Sequence, residues 1–180
     1  MTTPITLAHG VSLRLVEPGD GEALATALAL NAEHLAPWDP VREPDHTTPV
    51  RQEAFVAEMR AQWSTNSAAA FVLVAGAEII GQATVSHIVR GPFLSANLGY
   101  WLDAGWTGHG LMSAAVGAIA DFSRDALGLH RLQAATLVHN GASQRVLERA
   151  GFERIGLAPR YLQIAGRWQD HVLFQRLLED

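Results

Sequence analysis

The chain has 180 residues, 48% hydrophobic and 17% charged, with a formal charge of −5. That length suits one domain, residues 1–180, with a full core; the mild acidity argues against a broad nucleic-acid surface and favours a basic or amine partner. The lack of cysteine removes disulfides and thiolate metal sites, Met1-Thr2-Thr3-Pro4 lacks the basic and apolar regions of a signal peptide, and no apolar run approaches a membrane span, so a cytoplasmic protein is expected.

Residues 11–16 alternate and are rich in β-formers, predicting a first strand. Pro18-Gly19-Asp20 ends it, and Asp20 is placed to cap an Ala/Leu-rich helix running to about Asn31. Residues 33–49 carry Pro37, Pro40, Pro44 and Pro49 without a clear period, predicting a long loop of the kind that is often functional. A second helix is predicted over about 50–63. Three antiparallel strands follow over 71–75, 78–90 and 96–102, with turn signals at Gly76 and Gly91-Pro92. A third helix runs from Leu111 to about Ala126, where Ala114, Ala115, Gly117 and Ala118 allow close packing on a sheet, and Gly128 ends it. Then come a strand over 131–138 and a short helix over 142–150 with Gly151 as its left-handed cap. Two last strands, about 152–164 and 168–177, turn at Ala165-Gly166-Arg167. The sum is a mixed α/β domain without internal repeats.

The segment Trp106-Thr107-Gly108-His109-Gly110-Leu111-Met112 opens the third helix. First-turn N–H groups lack helical partners, the helix dipole adds positive charge there, and glycine lets a phosphate approach. Ser113 stands where a dinucleotide fingerprint needs a third glycine, and no Gly-Lys-Ser/Thr of a Walker A loop occurs. A tight strand-to-helix turn is the plain alternative to a phosphate site.

Leu98-Gly99-Tyr100-Trp101-Leu102, the Gly-x-Gly helix start, Leu129-His130-Arg131-Leu132, Asn140-x-x-Ser143 and Val146-Leu147-Glu148-Arg149-Ala150-Gly151-Phe152 stand in an order and spacing that resemble the GNAT superfamily of acetyl-CoA-dependent N-acetyltransferases. Within it the chain is similar to the RimJ/RimL branch, which acetylates N-termini of ribosomal proteins. His34-Leu35-Ala36-Pro37-Trp38-Asp39-Pro40-Val41-Arg42, Val89-Arg90-Gly91 and Tyr161-Leu162-x-Ile164-x-Gly166-x-Trp168-x-Asp170-His171 resemble the RimJ type.

The resemblance implies a mostly antiparallel mixed sheet flanked by helices, with a splayed strand opening a wedge for acetyl-CoA. Tyr100, Trp101 and Leu102 on that strand would meet the pantetheine arm. Gly108, His109, Gly110, Leu111, Met112 and Ser113 would meet the pyrophosphate. His109 stands where Lys or Arg is common; alternatively the backbone does the binding and His109 points to solvent. Asn140 would contact the cofactor and also suits an N-cap. Ser143 would protonate the departing thiolate, since no Tyr lies between 140 and 150. A backbone N–H near Leu102 would be the oxyanion donor. His34, Trp38, Asp39, Tyr161, Trp168 and Asp170 would line the acceptor groove.

The implied acceptor is the α-amine of a protein N-terminus, an N-terminal alanine of a small-subunit ribosomal protein. A small-amine acetyltransferase and a non-catalytic acetyl-CoA-binding regulator or assembly protein are the alternatives. A homodimer is compatible; membrane contact and direct nucleic-acid binding are not expected. The eight His show no metal-ligand spacing. Asn97 and Arg160 occupy the two positions where relatives carry a carboxylate base, which leaves Asp39, Asp170, His34, His87 and His171 as candidates.

Overall fold

Apolar residues on both faces of β3 (Ala69–Ala75) show how the domain is layered. Ala69, Phe71 and Leu73 enter one core while Ala68, Ala70 and Val72 enter another, as the two-residue period of a strand requires. A strand covered on both faces reads as a continuous apolar run, which is why the alternation is invisible there.

The computed structural model describes residues 3–178; Met1 and Thr2, from the segment weighed against a signal peptide, and Glu179 and Asp180 lie outside them. The elements are β1 (Ile5–Thr6), β2 (Val11–Leu15), α1 (Gly21–Leu30), α2 (Ala32–Leu35), α3 (Pro49–Ser64), β3, β4 (Glu78–Val89), β5 (Ser95–Leu102), α4 (Leu111–Asp125), β6 (Arg131–Leu137), α5 (Gly141–Arg149), β7 (Glu153–Ile164) and β8 (Arg167–Leu177). One eight-stranded sheet has the order β1-β2-β3-β4-β5-β6-β8-β7. Every neighbouring pair is antiparallel except β5 and β6, which are parallel. The expected mixed, mostly antiparallel α/β architecture is therefore present.

Helices cover both faces. Leu111, Ala115, Val116, Ile119 and Leu147 of α4 and α5 pack on Leu13, Phe71, Val85, Leu98, Leu132 and Phe174. Leu24 of α1 and Val56 and Met59 of α3 pack on Val16, Val72 and Ile79. Among the described residues no helix is long and apolar enough to cross a membrane, and no group of three or more His, Asp and Glu could hold a metal.

Two expectations are corrected. The loop expected over 33–49 begins as helix, because α2 continues α1 after a break at Asn31. Asp20 does not cap α1. Its backbone is helical (φ −69°, ψ −13°), and its carboxylate is taken by the Arg14 guanidinium at 2.7 Å on both oxygens and by the Glu17 N–H at 2.7 Å. The α1 N-terminus is satisfied instead by Glu53 of α3, which accepts from Gly19 N and Gly21 N at 3.0 Å each. Gly21 permits that approach: a Cβ there would stand 2.6 Å from Glu53 N.

Burial would raise the Asp20 carboxyl, but the Arg14 fork and the Glu17 N–H outweigh it and hold the group below the ordinary carboxylate range. A depressed folded pKa stabilises at pH above about 4, and the contribution fades as pH falls through the folded value. Asp20→Asn is expected to cost roughly 2 kcal/mol at pH 7. Urea unfolding at pH 7 and pH 3 should show that difference shrinking at the lower pH.

Candidate active site

The ladder between β5 and β6 has three rungs, Ser95 to Arg131, Ala96 to Leu132 and Asn97 to Gln133. Beyond them β5 follows β4, and β6 follows β8. The strands part, and a cavity of about 480 Å³ opens between residues 98–102 and 134–137. Backbone groups that lose a ladder need a ligand or water. Thr136 lines the same gap, and its hydroxyl is buried without a partner. Orphaned polar groups along an apolar slot suit a narrow chain carrying amides.

β5 leads through a short 3-10 turn, Ala104–Trp106, to the two glycines. Gly108 (φ +83°) and Gly110 (φ +74°) are left-handed, with open space where a Cβ would stand. Gly110 is the N-cap of α4 and brings no side chain to its first-turn amides. Gly108, Gly110, Leu111, Met112 and Ser113 all line the cavity, so backbone N–H groups at its end could hold an anion. His109 is not part of the cavity wall. It is exposed, with Nδ1 3.3 Å from the Trp106 carbonyl and its ring edge-on to His9 at 5.5 Å. Positive charge comes to the wall from α5, where Arg145 and Arg149 are one helical turn apart.

Asn140 caps α5 by accepting from Ser143 N at 3.0 Å. Gln144 Nε2 donates to the Leu137 and Val138 carbonyls at 3.2 and 2.9 Å and ties that turn to β6. Ser143 Oγ then stands 2.8 Å from the Tyr100 hydroxyl on β5, which also donates to the Ser143 carbonyl at 3.2 Å. The pair bridges the wedge. Burial, offset in part by Ser143, pushes the phenol up to about 12, so it stays protonated near neutrality. Trp101 borders the cavity, while its indole packs on the α1/α3 core and donates to Gln82 Oε1 at 3.0 Å. Leu102 also lines the wall.

The proline-rich loop is held against the opening by distant polar links. Buried Asn31 donates to Asp103 Oδ2 at 2.6 Å and accepts from Ala104 N at 2.9 Å, hooking the α1–α2 junction to the end of β5. The Asp39 carbonyl accepts from Ala165 N at 2.9 Å, hooking the loop to the β7–β8 turn. His34, Trp38 and Asp39 thereby line the cavity. The Trp38 and His139 rings lie 5.5 Å apart, and the Asp39 carboxylate lies 3.4 Å from Arg42. Tyr161, Trp168 and Asp170 are outside the wall. Tyr161 packs its ring 5.7 Å from that of His171, Trp168 is 63% exposed, and Asp170 accepts from Arg160 N at 2.8 Å.

Residues 11–153 match the family model described as Acetyltransferase (GNAT) domain. The chain is 39% identical over 163 residues to the [Ribosomal protein uS5]-alanine N-acetyltransferase of Escherichia coli K12, covering 89% of this chain and 84% of that protein. The chain belongs to the GNAT acetyltransferase family. The crystal structure of ribosomal-protein-S5-alanine acetyltransferase from Vibrio fischeri superposes on this GNAT chain with a TM-score of 0.95, at 34% identity over 99% of this chain and 98% of that one. Mycobacterium smegmatis RimJ, in complex with CoA-disulfide, gives a TM-score of 0.87 at 31% identity over 93% and 81% of the two chains.

Three features of this GNAT site lay outside the sequence reading: the Tyr100 phenol as the partner of Ser143, the Arg145/Arg149 pair, and the unpartnered Thr136 hydroxyl. The i, i+4 spacing of the two arginines after an Asn cap was the available signal for the second. Asn140→Ala is expected to lose the cap, lowering stability by about 1 kcal/mol in chemical denaturation.

Proposed function

We propose that this chain transfers the acetyl group of acetyl-CoA to the α-amine of a protein N-terminus, an N-terminal alanine of a small-subunit ribosomal protein, as a cytoplasmic enzyme. The observation that carries this is the cavity at the end of the three-rung ladder, with a phosphate cradle at one end and the Tyr100–Ser143 pair across it. The E. coli and V. fischeri relatives, named as ribosomal-protein alanine acetyltransferases, support the acceptor. The CoA-disulfide in M. smegmatis RimJ supports the cofactor.

Acetyl-CoA supplies an activated acetyl group as its thioester. The open edges of β5 and β6 would hold the amide-bearing arm, and Gly108, Gly110 and the first turn of α4, with Arg145 and Arg149, would hold the phosphates. A backbone N–H near Leu102 would take up charge on the carbonyl oxygen. Ser143 Oγ gives its proton to the departing sulfur. The Tyr100 phenol, kept protonated by burial, donates to the Ser143 carbonyl and holds the serine hydroxyl in place through the 2.8 Å contact, and solvent returns the proton to the serine. His34, Trp38 and Asp39 would receive the acceptor.

Ser143→Ala is expected to lower kcat by roughly 100-fold while the KM for acetyl-CoA stays within about threefold, because proton donation matters only as the C–S bond breaks. Steady-state kinetics that leave kcat unchanged would remove Ser143 as the acid.

The acceptor is tested by comparing a peptide with a free N-terminal alanine against a blocked peptide carrying one lysine. An α-amine with a pKa of about 7.7–8.0 is roughly a tenth neutral at pH 7, whereas a lysine near 10.4 is below about a thousandth. Mass spectrometry should find the acetyl group on the alanine peptide at least ~10-fold faster. Equal or faster lysine acetylation would favour the small-amine reading.

A further inference from the structure

Asn97 and Arg160 stand where the family resemblance implies a carboxylate base and neither can serve as one, so the proton leaving the amine needs another acceptor. Most of the candidates are otherwise engaged. His87 is exposed on β4, outside the cavity wall, with Nδ1 3.1 Å from Ser86 Oγ. Asp170 is exposed and holds the Arg160 amide, and Asp39 faces Arg42. His34 borders the cavity but is exposed. His171 combines the needed features: it lines the cavity and is 2% exposed.

Its tautomer is set by its neighbour. Nδ1 lies 2.9 Å from the Gln169 carbonyl, which can only accept, so the ring proton is on Nδ1 and the basic lone pair of the neutral ring is on Nε2. Among the described residues no hydrogen bond is made to Nε2. The Tyr161 ring packs against the imidazole.

Strand alternation places His171 opposite the acid. Val172 and Phe174 enter the core under α4 and α5, so His171, one residue out of phase on an unbroken β6–β8 register, faces the other side of the sheet. Tyr100 packs on the α4/α5 side, where it meets Ser143. The wedge between β5 and β6 thus has its proton donor on one face and an imidazole on the other.

We propose that His171 is the general base of the acetyl transfer, an inference that rests on the acetyltransferase reading above. The amine nitrogen forms a bond to the carbonyl carbon and the C–S bond breaks. One proton passes from that nitrogen to His171 Nε2 and on to solvent; the sulfur takes one from Ser143 Oγ, and solvent returns a proton to the serine, so protons and electron pairs balance. Tyr161 on β7 packs against His171 and Asp170 precedes it on β8; the other titratable or charged groups on the cavity wall are His34, Asp39, Tyr100, Arg145 and Arg149.

His171→Asn keeps a donor for the Gln169 carbonyl and removes Nε2. It is expected to lower kcat/KM for the alanine peptide about 100-fold at pH 7, with acetyl-CoA affinity by calorimetry unchanged within about twofold. The deficit should narrow toward pH 9, where the α-amine deprotonates unaided. His171→Gln is the second variant, and ¹⁵N NMR of the unliganded wild type, which needs no variant, should show the Nδ1–H tautomer. A wild-type rate and pH profile in a folded variant, or an Nε2–H tautomer, would overturn the base. Wild-type turnover with an unchanged variant sinks the base alone. A wild type that binds acetyl-CoA but acetylates no peptide sinks the acceptor reading and the base together.

Discussion

Parallel strands β5 and β6 exchange backbone hydrogen bonds over three residue pairs and then separate, and the site depends on that separation. Each strand keeps its other neighbour: β5 stays on β4 from Gly81 to Ser86, and β6 stays on β8 over seven residue pairs. The sheet can therefore open in its middle without losing either half. Unpaired backbone groups along a cavity are costly unless something satisfies them. The same exposed N–H and C=O groups become recognition groups when an extended, amide-bearing ligand lies between the strands. Belonging to an acetyltransferase family gives that opening its chemical sense.

The rest of the molecule holds the opening in register. α4 and α5 are fixed on one face by the larger core, which sets the glycine cradle at one end and Ser143 beside Tyr100. At the proposed acceptor side, lined by His34, Trp38 and Asp39, the elements are short, and polar links take the place of a large core. Asn31 ties the start of α2 to Asp103, and the Asp39 carbonyl ties the loop to the β7–β8 turn. These links join residues far apart in sequence, so the cavity mouth inherits the rigidity of the sheet rather than that of a free loop.

Much of this was legible in the sequence wherever the cause is local. Strand alternation, the glycine pair at the start of α4, Asn140 as a cap and Gly151 after α5 each follow from residues within a few positions of one another. What stayed hidden was set by topology. Asp20 has the chemistry of a cap, but Arg14 claims it, and the carboxylate that does serve α1 comes from Glu53, more than thirty residues on. Prolines masked α2, because Pro37 follows the helix rather than interrupting it. Tyr100 was legible as a strand residue; its hydroxyl meets Ser143 only because parallel pairing sets β5 beside β6 and α5 follows directly.

The direct test is amide hydrogen exchange with and without saturating acetyl-CoA. Exchange is expected to slow in residues 98–102 of β5, in 134–137 of β6 and at the first turn of α4, with little change in β3, which is paired on both sides by β2 and β4. Unchanged exchange along the open edges of β5 and β6, or protection confined to another surface, would contradict it.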